Sequence, residues 1–227
     1  MKLSILVLIC GLWGVTLFYT LSIWGIPLLL AVIIHELAHG WVALQRGDTT
    51  ALSLGRLSFN PLKHVDLIGT VMVPLILLLS TSFVFGWAKP VPVIASRLHN
   101  PRHDMRLVAL AGPIANLLMA VLWMLVYKLS LPDFGDPGTV QNWFLEMSRA
   151  GAFVNILLAV FNLVPIPPLD GGRVVLTWLP GATVRKIAPF EQLGMLFVVG
   201  LLLTGALGQI LDPLMRWTQN LLIALVL

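Results

Sequence analysis

Two histidines and a glutamate in the run His35-Glu36-Leu37-Ala38-His39 hold the chemistry of this chain. In a helix, positions four apart share a face, so His35 and His39 project together and can grip one metal ion. Glu36 then stands beside them as a general base for an attacking water. The motif lies inside residues 26–44, a run with the length and apolar character of a membrane span. Histidine and glutamate are costly at that depth and are kept there for function. Zinc hydrolysis within a bilayer implies cleavage of peptide bonds at membrane depth.

Catalytic zinc takes three protein ligands and leaves a fourth position open. The imidazoles supply two. The third must be a carboxylate or imidazole from elsewhere at similar depth. Most other carboxylates fall in loops, whereas Asp170 is embedded in the apolar stretch 163–179. Pro165, Pro167 and Pro168 precede it and cannot occupy a regular helix interior. They predict an extended break at membrane depth, tolerable only where it lines a cavity. Gly171-Gly172 permits close backbone approach. Asp170 is therefore expected at the tip of a broken helix, completing with His35 and His39 a site for one zinc ion per chain.

The elements that must position these groups follow from composition. Of the 227 residues 58% are hydrophobic and 11% charged, against about 25% charged in soluble domains. Several apolar runs of about 20 residues predict an all-α polytopic membrane protein with about five to six transmembrane helices. A transmembrane barrel is excluded, because no series of alternating segments of about 10 residues occurs. The formal charge of +4 comes from Lys and Arg scattered over short loops, the pattern of topology signals and not of nucleic-acid binding. Cys10 is the only cysteine, so no intrachain disulfide can form.

The chain reads as a single membrane domain over 1–227. Residues 1–25 form an extra N-terminal span (apolar from 3 to 21, with a tight turn at 22–25), 26–180 the catalytic core, and 181–227 the C-terminal span or spans. Within the last part, 190–211 reads as a span and 213–227 as a half-helix or interfacial helix. Residues 50–59 alternate partly in polarity and predict a short membrane-associated strand, whose edge could pair with an extended substrate. Residues 67–87 are long enough to span but contain Pro74.

Charge bias orients the chain. Arg46, Arg56 and Lys63, then Lys89, Arg97 and Arg102, then Arg173, Arg185 and Lys186 mark three cytoplasmic regions, whereas 129–141 has no Lys or Arg. Both flanks of 67–87 are then cytoplasmic, which predicts a re-entrant hairpin. The metal helix runs inward, putting His39 roughly 8 Å and His35 roughly 14 Å from its inner end at residue 44.

His35-Glu-Leu-Ala-His39, together with Asn162-x-x-Pro165-x-x-x-Leu169-Asp170-Gly171, resembles the paired signature of site-2 proteases, the intramembrane zinc metalloproteases. Ala111-Gly-Pro-Ile-Ala-Asn116 is similar to the Gly-Pro element on the span between them. The resemblance covers about residues 26–180. It implies that His35, His39 and Asp170 bind zinc and that Glu36 is the catalytic base. It also implies single-pass membrane proteins as substrates, a prokaryotic cytoplasmic membrane as location, and a short form without PDZ or CBS domains. Asn162 and Asn116 are candidates to hydrogen-bond the substrate backbone or the oxyanion. Beyond the bilayer and substrate no partner is implied, and the residues set no oligomeric state. An ion or metal transporter also uses intramembrane His and Asp. Against it, no inverted repeat is visible, and Glu36 in the hydrolase spacing has no transport role.

Overall fold

The computed structural model describes residues 2–80, 86–132, 135–187 and 191–226, with side chains from residue 16 onward apart from 77, 78, 80, 191, 192 and 195. It is helical, and no strand occurs among the described residues. Helix α1 spans Lys2–Gln45, α4 Pro101–Leu129 and α5 Thr139–Asn162. These three pack on one another, and the short α6 (Asp170–Trp178) tucks against α4. Between α1 and α4 lie the small helix α2 (Thr50–Ser53), a π-turn at Leu67–Met72 running into α3 (Val73–Ser80), and an extended stretch at 86–94. Three more helices follow α6: α7 (Gly181–Ile187), α8 (Glu191–Leu203) and α9 (Ala206–Val226).

Among the described residues three helices are long and apolar enough to cross a membrane: Thr16–Gln45, Pro101–Leu129 and Thr139–Asn162. The α8–α9 pair, bent by 84°, makes a fourth if counted as one span. Their outward faces, such as Ile114, Leu118 and Leu122 on α4, expose large apolar side chains. Most of their backbone polar groups are bonded within each helix, as a lipid environment demands.

Three sequence expectations change. The turn at 22–25 is absent, because these residues continue α1. None of them forces a non-helical φ; Ser22 Oγ donates to Tyr19 O one turn back and accepts from Trp143 Nε1, tying α1 to α5. The break expected after residue 211 falls instead at 204–205, where Gly205 has φ +72°, a left-handed conformation open to glycine. Pro213 then lies inside α9.

The strand at 50–59 is also absent, and a helical turn stands in its place. Asp48 explains the difference. Its buried carboxylate accepts from the amide and hydroxyl of Thr50 and starts a helix there. The amides of Ser53, Leu54 and Arg56 bond carbonyls four to five residues back, and Gly55 at φ +61° ends the turn. With its hydrogen bonds spent locally, this segment offers no strand edge.

The segment around 67–87 closes on itself. Trp87 N donates to Gly69 O at 3.0 Å, and Lys89 N donates to His64 O at 2.9 Å. Thr70 Oγ1 donates to Trp87 O at 2.9 Å. The chain thus returns to the point it left, and residues 81–85 lie outside the described residues. His64 is buried at this closure, with Nε2 on Ser58 O.

Candidate metal centre

His35 and His39 lie one turn apart on α1 and face α4, which runs antiparallel to it. Along α4, Val108, Gly112 and Asn116 recur every fourth residue and make one stripe. His39 Nδ1 is 2.7 Å from Val108 O. His35 Nδ1 is 2.6 Å from Asn116 Oδ1. Gly112 lies between them, and a Cβ there would come within 2.5 Å of both imidazoles. Pro113 removes the amide that would bond Ala109 O, the carbonyl next along the helix from the Val108 carbonyl that meets His39.

Those partners fix both tautomers. A carbonyl oxygen only accepts, so both Nδ1 atoms carry the proton and donate. Each Nε2 of a neutral ring then bears a lone pair. The two Nε2 atoms are 3.0 Å apart. Asp170 Oδ2 lies 3.2 Å from His35 Nε2 and 3.3 Å from His39 Nε2. With both rings neutral, three lone pairs converge here, on residues none of which is more than 8% exposed. Asp170 Oδ2 is a buried oxygen with no hydrogen-bond partner. Such a cluster is repulsive until a cation sits in it. Tetrahedral zinc at about 2.0–2.1 Å from each ligand spaces them roughly 3.3 Å apart, the separation found here. The donor set fits zinc.

Asp170 reaches this point as sequence expects. The chain breaks after α5, and Asp170 opens α6, where the helix dipole favours its charge. Gly171 and Gly172 are required by close approach: a Cβ on Gly171 would lie 2.2 Å from Leu163 O, and one on Gly172 2.2 Å from Pro167 N. The proline turn folds directly onto the start of α6.

Glu36 is half-buried, and its Oε2 accepts from Val91 N at 2.7 Å. Val91 belongs to the extended stretch 86–94, which crosses the motif helix here. Pro90 and Pro92 lack amide donors and hold the backbone extended. Arg56 Nη2 donates to Lys89 O at 2.7 Å, and Ile94 N donates to Asp48 Oδ2 at 2.6 Å. Gly40 admits the stretch, since a Cβ there would lie 2.9 Å from Val91 Cγ1. Burial raises the Asp48 pKa, but the Thr50 hydroxyl, the Ile94 and Thr50 amides and the charge of Arg97 outweigh it and hold the carboxyl below its ordinary value. Asp104 accepts from the Asn100 amide and lies close to His103 and Arg46.

The two asparagines expected to meet substrate differ. Asn162 is half-buried at the end of α5 and donates through Nδ2 to Leu158 O of its own helix. Asn116 is fully buried, and its amide is engaged within the protein. Its oxygen serves His35, and its Nδ2 donates to Ala31 O at 3.2 Å and to Asn155 Oδ1 at 2.9 Å. Sequence reasoning notes Gly112 only as part of the Gly-Pro element and makes no claim on Val108 O or Asn155. Asn155 carries a usable signal, an amide inside an apolar helix.

Comparison with known proteins agrees with this geometry. Residues 136–207, which include Asp170, match the model of peptidase family M50. YwhC of Bacillus subtilis is 33% identical over 207 residues, covering 88% of this chain and 90% of the relative. Rip2 of Mycolicibacterium smegmatis is 32% identical over 190 residues, covering 83% and 70%. Both are named as zinc metalloproteases. No solved structure matches this chain. A buried His-His-Asp cradle on a membrane-type helical frame, and relatives aligned along nearly the whole chain, lead to one conclusion: the protein belongs to peptidase family M50, the site-2 protease family, and is a zinc metalloendopeptidase.

Proposed function

We propose that this protein hydrolyses a peptide bond in or near the transmembrane segment of single-pass membrane proteins, as a step in regulated intramembrane proteolysis. One observation supports this above others: the three lone pairs of His35, His39 and Asp170 converge among apolar helices, with Glu36 adjoining them. Hydrolysis there acts on a chain that is itself in the bilayer. The location is a prokaryotic cytoplasmic membrane. Basic residues at the inner end of α1 and around 89–102 favour an active site nearer the cytoplasmic face. The paired ends of the 64–89 segment favour a re-entrant hairpin on that same side.

His35, His39 and Asp170 would hold the zinc. Zinc, when bound, acts as a Lewis acid that lowers the pKa of a water toward 7 and polarises the scissile carbonyl. Glu36 accepts the proton of the attacking water as the new carbon–oxygen bond forms. It passes that proton to the amine nitrogen as the carbon–nitrogen bond breaks. A substrate helix must unwind first, because its amides are bonded internally. The Val91 amide bonded to Glu36 supports a reading in which an extended substrate backbone lies beside the base.

The test uses the purified protein in lipid vesicles with a single-span substrate. Glu36→Gln should abolish cleavage and leave bound zinc unchanged, because Glu36 is not a ligand. Retained cleavage refutes the role of Glu36. Metal-dependent ion flux in the parent without cleavage refutes the peptidase reading in favour of transport.

A further inference from the structure

We propose that Asn155 on α5 is a positioning residue of the zinc site, setting the orientation of Asn116 and through it the tautomer of His35. The proposal rests on the zinc-peptidase reading and adds a residue outside the ligand set and the signature motifs.

A chain of forced assignments carries it. Asn155 is fully buried, as is Asn116. Asn155 Nδ2 lies 2.9 Å from Gly151 O. That backbone carbonyl can only accept, so the atom facing it is the amide nitrogen, and Oδ1 points the other way, at Asn116. Oδ1 can only accept in turn. Asn116 must present Nδ2 to it, at 2.9 Å, which turns Asn116 Oδ1 toward His35. His35 Nδ1 then has to be the protonated nitrogen at 2.6 Å, and its Nε2 is left with the lone pair that faces Asp170. A polarity set by the α5 backbone is thereby transmitted through two amides to the metal-binding atom.

A bland reading would make Asn155 a buried helix residue satisfying its own turn. Bonding Gly151 O would do that with no second amide present. The second amide is there, and both asparagines have their donors and acceptors matched end to end, as a buried polar network requires. Ala31 O also holds Asn116 Nδ2, but at 3.2 Å and as a carbonyl of α1 already committed to its own helix. Removing Asn155 therefore loosens the orientation of Asn116 without abolishing it. The effect should be smaller than that of removing Asn116 itself.

Partners of ligating imidazoles typically account for 10–100-fold in metal affinity. The expectation for Asn116→Ala is a loss within that range, and for Asn155→Leu a loss of about tenfold, at its lower end. Affinity is read by chelator competition on protein in detergent, not by activity. Asn155→Asp keeps an acceptor toward Asn116 and should lose less than Asn155→Leu. The second readout is the nitrogen NMR signature of histidine-labelled zinc-free protein. In the parent, His35 should show a single tautomer protonated at Nδ1, and in Asn155→Leu a mixture.

A double-mutant cycle separates positioning from packing. If Asn155 acts through Asn116, Asn155→Leu makes no further change in zinc affinity once Asn116 is Ala. Full additivity overturns the proposal, as does an unchanged affinity with a single His35 tautomer in Asn155→Leu. Should Asn155→Leu not fold, the same cycle is run with Asn155→Ser, and the same outcomes decide. Failure of the peptidase reading would show in the parent alone, as absence of cleavage. Failure of this inference would show only in the Asn155 variants of a parent that cleaves.

Discussion

Gly112→Ala is the smallest change that should disable the metal centre. Ordinarily such a substitution inside a helix is favourable by about 1 kcal/mol. Here the added carbon would lie 2.5 Å from His35 Cε1, 2.5 Å from His39 Nε2 and 2.6 Å from His39 Cε1. Ordinary contact begins at 3.4 Å, so the rings must retreat by about 0.9 Å. Neither ring is free to do so, because each Nδ1 is bonded to α4 itself, one to Asn116 and one to Val108. Moving them costs about 1 kcal/mol per hydrogen bond lost. Overpacking of this kind costs about 1–3 kcal/mol. Ligand distances in a working site hold to about 0.2 Å, well under the displacement required. The strain falls on the metal-bound arrangement, so zinc affinity should drop by about 5–150-fold.

Chelator competition on detergent-solubilised protein measures this directly, with cleavage of a model substrate falling in parallel. Gly25→Ala and Gly200→Ala are the controls, since nothing lies within 4 Å of a Cβ at either position. Both should bind zinc as the parent does. If Gly112→Ala binds zinc within twofold of the parent, the packing of α4 against the two imidazoles is not what sets the site.

Other expectations follow from the stretch that crosses Glu36 and from the loops beneath it. Arg56→Ala removes side-chain bonds to Lys63 O, Lys89 O and Pro90 O; amide exchange across 86–94 should quicken with zinc content unchanged, and unchanged exchange would show that Arg56 does not pin the stretch. Asp48 has a depressed carboxyl pKa. The stability it contributes is therefore complete above the ordinary carboxylate value of about 3.9 and lost as pH falls through its lower folded value. In thermal unfolding, Asp48→Asn should cost stability at neutral pH and progressively less in acid. A difference that stays constant down to the lowest pH would contradict the assignment.

The meeting of His35, His39 and Asp170 was legible in the sequence because each rests on a local rule. Four-residue spacing on a helix brings His35 and His39 to one face, and prolines followed by two glycines mark Asp170 as the end of a break. The strand at 50–59 failed because alternation in polarity says nothing about where backbone hydrogen bonds go. Asp48, outside the alternating stretch, claimed the Thr50 amide and turned the backbone into a helix. The turn at 22–25 failed for a related reason. Two apolar runs of span length suggested two helices, but Ser22 to Gly25 hold nothing that stops one from continuing. The closure of residue 69 on residue 87 is a backbone hydrogen bond between segments 18 residues apart, which no local pattern in the sequence encodes.

The Ala111-Gly-Pro-Ile-Ala-Asn116 element was visible as a motif, yet its work was not, because that work depends on how two helices register against each other. Val108, Gly112 and Asn116 climb α4 in steps of four, as His35 and His39 do along α1 in the opposite direction. Only when the two helices are set side by side does Val108 O fall on His39, Asn116 on His35 and the missing side chain of Gly112 between them. A slip of one residue in this register would rotate α4 by about 100° and carry all three away from the imidazoles. The site therefore specifies the packing of α1 on α4 as much as the packing specifies the site. Zinc affinity and helix registration should consequently fail together in variants of this stripe, and separately in variants of the lipid-facing residues Ile114 and Leu118 on the same helix.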